Sequence, residues 1–527
     1  MNGILGPGRP FHGTMILTEM PSLKNYGEGE PPKVIIHGGG PLSSVYSEPR
    51  HVKDVSVKHL DAPRYITEQL TNRVAQNEHF EMMRDVPLSL SHFLDNNETS
   101  VTQSATQYRY STLNENSSPI DPAKFVVDHN DPSSEIELSL TTDSGDTLTF
   151  VIRRESGYGH DGIESGVQFQ TLSVEFQLDG KLSQKEKQEL DSLAIGLNRL
   201  ANEYFSGGGV SLAKLGLDDM SGILELKLSI DDGRKPGLDL SMTETDQRRN
   251  IDVEFFGNHI ELSVDKTGLT GSAEGTRRQA ALAHYRQILR EGLDRAQGSG
   301  DQKALLLDAF DMLYGLVDET VNQQELTAAE SMMMSGLPDF FVHFEGRTVR
   351  QNTHPVRQDQ VETVSLTLAQ ETVFKQDGSL NRQIDQRQIW ELDAGYFEPL
   401  DHWDFVDFQN QNYQYYELSE RAEIRTMTGL LDGDVYGTQS RTFESRFDAQ
   451  EYRMGELVDW KTTTRSLHEL RDFSARLRNL DDLNNKVLLA ELVLDPTELS
   501  KLADVERVDQ DESAISKVSV PQGTRQS

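Results

Sequence analysis

Apolar side chains recur at every second position through several long stretches of this chain. That period fits strands packed on one side and excludes helices over the same residues. In Glu135–Thr141 the alternating set is Ile136, Leu138 and Leu140; in Thr147–Arg153 it is Leu148, Phe150 and Ile152. The turn Asp143-Ser144-Gly145-Asp146 lies between them, so the two runs read as a hairpin. Val167–Leu178 supplies a third strand, and Ile223–Ile230, Ile251–Phe256 and His259–Val264 supply more. Beyond Pro338 the runs lengthen and grow polar: Val364, Leu366, Leu368 and Phe374 share a face opposite Thr, Ser, Gln and Glu. With Gln383–Leu392, Tyr413–Thr426, Val435–Phe447 and Tyr452–Trp460 they predict an antiparallel meander with one wet face.

Between these runs the period changes to that of a helix. Ser183 followed by Glu186 has the form of a capping box, then Leu190, Leu193, Leu197, Leu200, Ala201 and Tyr204 recur at helical spacing up to Gly207-Gly208-Gly209. A short helix is read at Val210–Leu215. Leu282, Tyr285, Ile288, Leu289 and Leu293 form one stripe, and Gly298-Ser299-Gly300 interrupts it. Asp301 then caps a helix carrying Leu305, Ala309, Phe310, Leu313, Leu316 and Val317, which predicts a helical hairpin ending near Met332-Met333-Met334. Further helices are read at Ile66–Met83, with Ile66, Leu70, Val74 and Phe80 on one face, and at Leu467–Leu480. The fold class is therefore α+β: antiparallel sheets, a central helical hairpin and a long-stranded C-terminal β-meander. The expected divisions are a largely disordered arm over 1–100, an α+β domain over 101–272, the helical hairpin over 273–337, the meander with its helix over 338–480, and a C-terminal helix and loose tail over 481–527. The arm is read from its Gly, Pro, Ser, Asn and His content, as in Gly6-Pro7-Gly8-Arg9-Pro10, which supplies little to offset chain entropy.

Several structural motifs occur together: the hairpin Glu135–Arg153, the strand Ser173–Leu178 leading to Asp179-Gly180-Lys181-Leu182, the helix end Tyr204-Phe205-Ser206-Gly207, and Gly336-Leu337-Pro338-Asp339-Phe340. This set, covering residues 105 to 460, resembles an uncharacterised bacterial domain family with a Leu-Asp-Gly-x-Leu strand before an acidic helix. No activity is established for that family, so the resemblance implies a fold and supplies no site residues. Tyr204 stands at the first aromatic position of the helix end, where the family pattern has Phe.

Charge and cysteine usage exclude whole classes of chemistry. The 527 residues carry 51 Lys and Arg against 86 Asp and Glu, a net charge of −35, which repels phosphate backbones and speaks against nucleic-acid binding. No cysteine is present, which removes disulfides, thiolate nucleophiles and Cys-ligated metal sites. No run reaches the ~20 apolar residues of a membrane helix, and Met1–Gly40 lacks the charged start and apolar core of a secretory signal. The expectation is either a cytoplasmic protein or one secreted without a conventional signal.

No catalytic constellation emerges. Val34-Ile35-Ile36-His37-Gly38-Gly39-Gly40 has the form of an oxyanion loop, but the Gly-x-Ser-x-Gly elbow that it would serve is missing. Gly159-His160-Asp161-Gly162 offers a His–Asp pair in an expected loop, with no nucleophile identified beside it. Asp401, His402, Asp404 and Asp407 gather oxygen and imidazole donors suited to calcium or another divalent ion, although no loop template for calcium is met. The aromatic residues Trp390, Trp403, Tyr413, Tyr415 and Tyr416 cluster in the C-terminal sheet. Such a cluster serves either as core or as a binding face for a protein or a sugar.

Two functional readings follow. The first is a non-enzymatic interaction or structural protein of bacterial type, exported or envelope-associated, with a protein partner, since long meanders expose edges to which a partner strand can add. The alternative is a carbohydrate-binding or glycan-active protein using the C-terminal aromatic cluster.

Overall fold

The structure is a computed structural model that describes residues 50–60, 63–76, 82–112, 121, 124–160, 166–217, 220, 222–267, 275–314, 326–347, 354, 356–378, 380–400 and 406–478. The chain begins with β1 (Arg50–Leu60), α1 (Arg64–Gln76), α2 (Ser89–Asp95), β2 (Ser100–Thr112) and β3 (Val126–Asn130). It continues through β4 (Ser134–Thr142), β5 (Thr147–His160), β6 (Val167–Asp179) and α3 (Gln184–Ser206). Next come β7 (Ile223–Asp231), β8 (Leu238–Glu244), β9 (Arg248–Phe255) and β10 (Asn258–Asp265), then α4 (Gly275–Arg295), α5 (Gly300–Tyr314) and α6 (Ala328–Met332). The last stretch holds β11 (Phe340–Arg347), β12 (Thr363–Asp377), β13 (Asn381–Pro399), β14 (Tyr413–Leu431), β15 (Asp434–Arg453), β16 (Glu456–Asp472) and α7 (Ser474–Leu477).

All sixteen strands belong to one sheet, in the order β1-β2-β6-β5-β4-β7-β8-β9-β10-β11-β12-β13-β14-β15-β16, with β3 paired to β5. Every pairing is antiparallel. The register lines up one cross-sheet row: Val101, Phe176, Phe150, Leu138, Leu228, Leu240, Val253, Ile260, Phe344, Leu366 and Leu392. These residues belong to the core that the strands share with α1 to α5. The same row continues as Glu420, Ser445 and Arg465 on β14, β15 and β16. The row thus turns polar toward the β16 edge.

The helices follow their local signals. Ser183 Oγ accepts the Glu186 backbone N–H at 3.3 Å while the Glu186 carboxylate accepts the Ser183 N–H at 2.6 Å, and Gly207 closes α3 at φ +77°. α6 repeats the device with Thr327 and Glu330. Burial would raise the Glu186 carboxyl, but hydrogen bonds from Ser144 and Ser183 outweigh it and hold the group at about 2. Met333 and Met334 are buried, and the Arg277 guanidinium donates to the carbonyl oxygens of Met332 and Met334. Two of the three methionines are thus interior, and Met332 is partly buried.

Three expectations are corrected. Residues 50–100 hold a strand and two helices: β1 forms by backbone pairing to β2, which polar residues support without an apolar period. Leu467–Leu480 was expected to be helical, yet β16 runs to Asp472 and α7 spans only Ser474–Leu477. The spacing of Leu467, Leu470 and Leu477 imitates a helix, but Leu467 and Leu470 fall on opposite sides of the sheet and pair with Phe443 and Ser440. Gly159 and His160 end strand β5 instead of lying in a loop, and His160 pairs with Asp128 at 3.1 Å. The sheet runs on across the divisions at 101, 273 and 338, and β10 pairs directly with β11 on either side of the helical insertion. Residues 1–49, Phe80, Asp161, Leu316, Val317 and 481–527 lie outside the described residues.

Candidate interaction edge

The aromatic cluster, read from the sequence as either core or a binding face, is divided by the strand period. Trp390 pairs with Ala422, so its side chain lies on the helical face, whereas Tyr413 and Tyr415 lie on the opposite face with Phe397 and Tyr452. Trp390 is fully buried under α4, where Gly292 leaves room for its ring. Its Nε1–H donates to Glu420 Oε2 at 3.0 Å, and the same carboxylate takes two bonds from Arg295 at 2.7 Å. A bidentate ion pair inside the sheet satisfies both charges where apolar packing gives way.

On the other face Tyr413 and Tyr415 are covered by the protein's own chain. Tyr413 Oη donates to Gln360 Oε1 at 2.8 Å, Gln360 Nε2 donates to Tyr452 Oη at 3.0 Å, and Arg357 stacks on the Tyr452 ring at 4.3 Å. His354 Nδ1 accepts the backbone N–H groups of Val356 and Arg357 at 3.1 and 2.8 Å. Burial pushes both Tyr413 and Tyr415 up to about 12, so both stay neutral and serve as packing. Tyr416 is half-buried and stacks between Tyr396 and Phe447. Trp390, Tyr413 and Tyr415 are therefore buried on two different faces of the sheet, and Tyr416 is partly buried on the Trp390 side. Trp403 lies outside the described residues, as do Asp401, His402 and Asp404. Asp407 is engaged locally: its carboxylate accepts the Asn410 backbone N–H at 3.0 Å and the Asn412 side-chain amide at 3.2 Å. The Asn410 backbone bond leads in holding it below the usual carboxylate range. Among the described residues no group of three or more His, Asp and Glu is placed to hold a metal.

What sequence reasoning missed is β16. Only its junction with β15 was read as a strand, yet it spans Glu456–Asp472 and ends the sheet. On its outer side no strand pairs with it among the described residues. Among the described residues, no strand takes up its outward row of backbone N–H and C=O groups. β16 also holds the densest set of exposed apolar side chains in the described structure: Leu457, Val458, Trp460, Leu467 and Leu470, with Trp460 58% and Leu470 77% exposed. Trp460 is held in place by its polar edge, since Nε1–H donates to Asp448 Oδ1 at 3.3 Å. Burial would raise Asp448, but bonds from Arg446, Thr462 and Trp460 outweigh it and keep the carboxylate charged. An aromatic ring fixed at one edge and open on its faces is a preorganised contact of low ordering cost.

Edge strands that avoid pairing are short, bulged, proline-bearing or charged inward. β16 has one register shift, opposite Glu451 and Tyr452 beside its turn, and then continues regularly from Asp459 to Asp472. Its charges nearly balance, Lys461, Arg465 and Arg471 against Glu456, Asp459, Glu469 and Asp472, in a chain of net charge −35. No family model matches the chain, nor does any curated protein or solved structure.

Proposed function

We propose that this chain is a non-enzymatic binding protein whose partner extends its sheet at β16. The observation that carries the reading is the coincidence, on one edge, of a long backbone row with no partner strand among the described residues and exposed apolar side chains anchored by Trp460. Main-chain bonds then supply affinity, and the alternating side chains supply selectivity. The local charge balance supports it, because an extended segment can approach there without the repulsion that the rest of this acidic surface imposes.

Photo-crosslinking in the native host tests this. A benzophenone side chain placed at Trp460 is expected to give defined adducts, and one placed at the exposed Tyr158 of β5 is expected to give few. Equal labelling from both positions, or none from Trp460, removes the reading.

A further inference from the structure

We propose that the strand added to β16 is β16 of a second copy of this chain, antiparallel across a twofold axis through Arg465. This names the partner in the reading above and rests on it. In such an edge-to-edge pair, opposed residues project to the same face. A twofold axis normal to the sheet then passes through a residue, never between two.

Sliding the axis along the regular part of β16 tests each register by charge. With the axis at Thr464, Asp459 faces Glu469. With it at Ser466, Lys461 faces Arg471, and at Thr463 Lys461 faces Arg465. Axes at Thr462 or Leu467 avoid like charges, but the first leaves Leu470 beyond the paired run and the second leaves Trp460 there. At Arg465 the whole run Asp459–Arg471 pairs. Asp459 then faces Arg471 of the second copy, Lys461 faces Glu469, and Trp460 faces Leu470, each pair occurring twice. The two most exposed apolar side chains on the regular part of the strand cover one another.

The faces agree as well. Asp459, Lys461, Glu469 and Arg471 lie on the helical side with Phe443 and Phe447, and Trp460 and Leu470 lie on the other side. Arg471 already bonds Glu469 at 2.7 Å within the chain. Joined to a second copy, that pair becomes the middle of an alternating row: Asp459 of the second copy, Arg471, Glu469, and Lys461 of the second copy. The one like-charge meeting is Arg465 with its twin, and both arginine stems are long enough to part.

The chain has no cysteine, so a single introduced thiol reports the register cleanly. Under copper–phenanthroline oxidation, Arg465→Cys is expected to link to its twin, because the axial residues stand within disulfide range. Ser466→Cys, displaced along the strand and facing away, is expected to stay monomeric. In sedimentation of the full chain at 0.15 M salt, the mass is expected to reach twice 59.3 kDa. Lys461→Glu is expected to weaken association by about tenfold or more, and Lys461→Glu combined with Glu469→Lys to restore most of it. A chain monomeric at every concentration, stronger linkage through Ser466→Cys, or a double reversal that fails to rescue overturns the proposal. If the purified chain is monomeric while Trp460 still crosslinks to a different protein in cells, the second copy is wrong and the strand-addition reading stands. If Trp460 gives no adduct at all, both fall.

Discussion

Alanine at position 292 is expected to destabilise this protein, although the same change in an ordinary helix stabilises it. Replacing an interior helical glycine with alanine gains roughly 0.8–1 kcal/mol through backbone entropy. Here α4 packs on the sheet, and a Cβ at Gly292 meets Trp390 Cη2 at 2.4 Å, Trp390 Cζ2 at 2.8 Å and Leu366 Cδ1 at 3.2 Å. The indole cannot simply turn aside. It is fully buried, and its Nε1–H is tied to Glu420, which is itself clamped by Arg295. Overpacking of this kind costs about 1–3 kcal/mol, and loosening a hydrogen bond to a charged acceptor costs about 1–3 kcal/mol more. Subtracting the propensity gain leaves a net loss of roughly 1–5 kcal/mol. Urea denaturation followed by circular dichroism measures it. The control is Trp390→Phe, which removes the ring atoms that the new methyl meets; in that background Gly292→Ala is expected to be neutral or stabilising. If Gly292→Ala raises the urea midpoint in the wild-type background, the packing account of α4 on Trp390 is wrong.

Three further outcomes follow from the interior polar groups. Glu420→Ala leaves Arg295 and the Trp390 N–H without their acceptor, so a loss of about 3–5 kcal/mol is expected in the same titration, with Glu420→Gln costing less because an amide oxygen still serves Trp390. Burial, and next the Arg357 charge, lower the His354 imidazole from its ordinary 6.5, against the weaker pull of Asp359, and Nδ1 must stay unprotonated to accept from Val356 and Arg357. The unfolded chain therefore binds the proton more readily. Stability from this group is present above pH 6.5 and declines below it, and the protection of the Val356 and Arg357 amides, measured against their intrinsic exchange rates, should fall in acid while that of β4 does not. Ser183→Ala is expected to cost about 1 kcal/mol through the lost cap. The Glu186 contribution is complete above about pH 4.5 and vanishes as pH falls toward about 2, so acid unfolding of the variant should begin nearer neutrality than that of the parent.

Legibility followed the amount of apolar surface each element buries. The β4–β5 hairpin, β6, α3 with its two caps, and the α4 stripe were readable because their buried residues repeat at the period of the element. β1 and most of β16 were not, because neither stretch carries an unbroken alternation of apolar and polar residues. Leu467 and Leu470 misled because two exposed leucines three apart look like a helix face when no partner strand is known.

The sequence by itself determined the strand-rich class, the capped helices, and the lack of thiol chemistry, since local period, cap residues and composition carry those properties without reference to distant residues. Only the tertiary structure decided the single sheet, the split of Trp390 from Tyr413 and Tyr415, and the identity of the open edge. Those depend on register: shifting a strand by one residue sends every side chain to the other face, and register is set by neighbours far away along the chain.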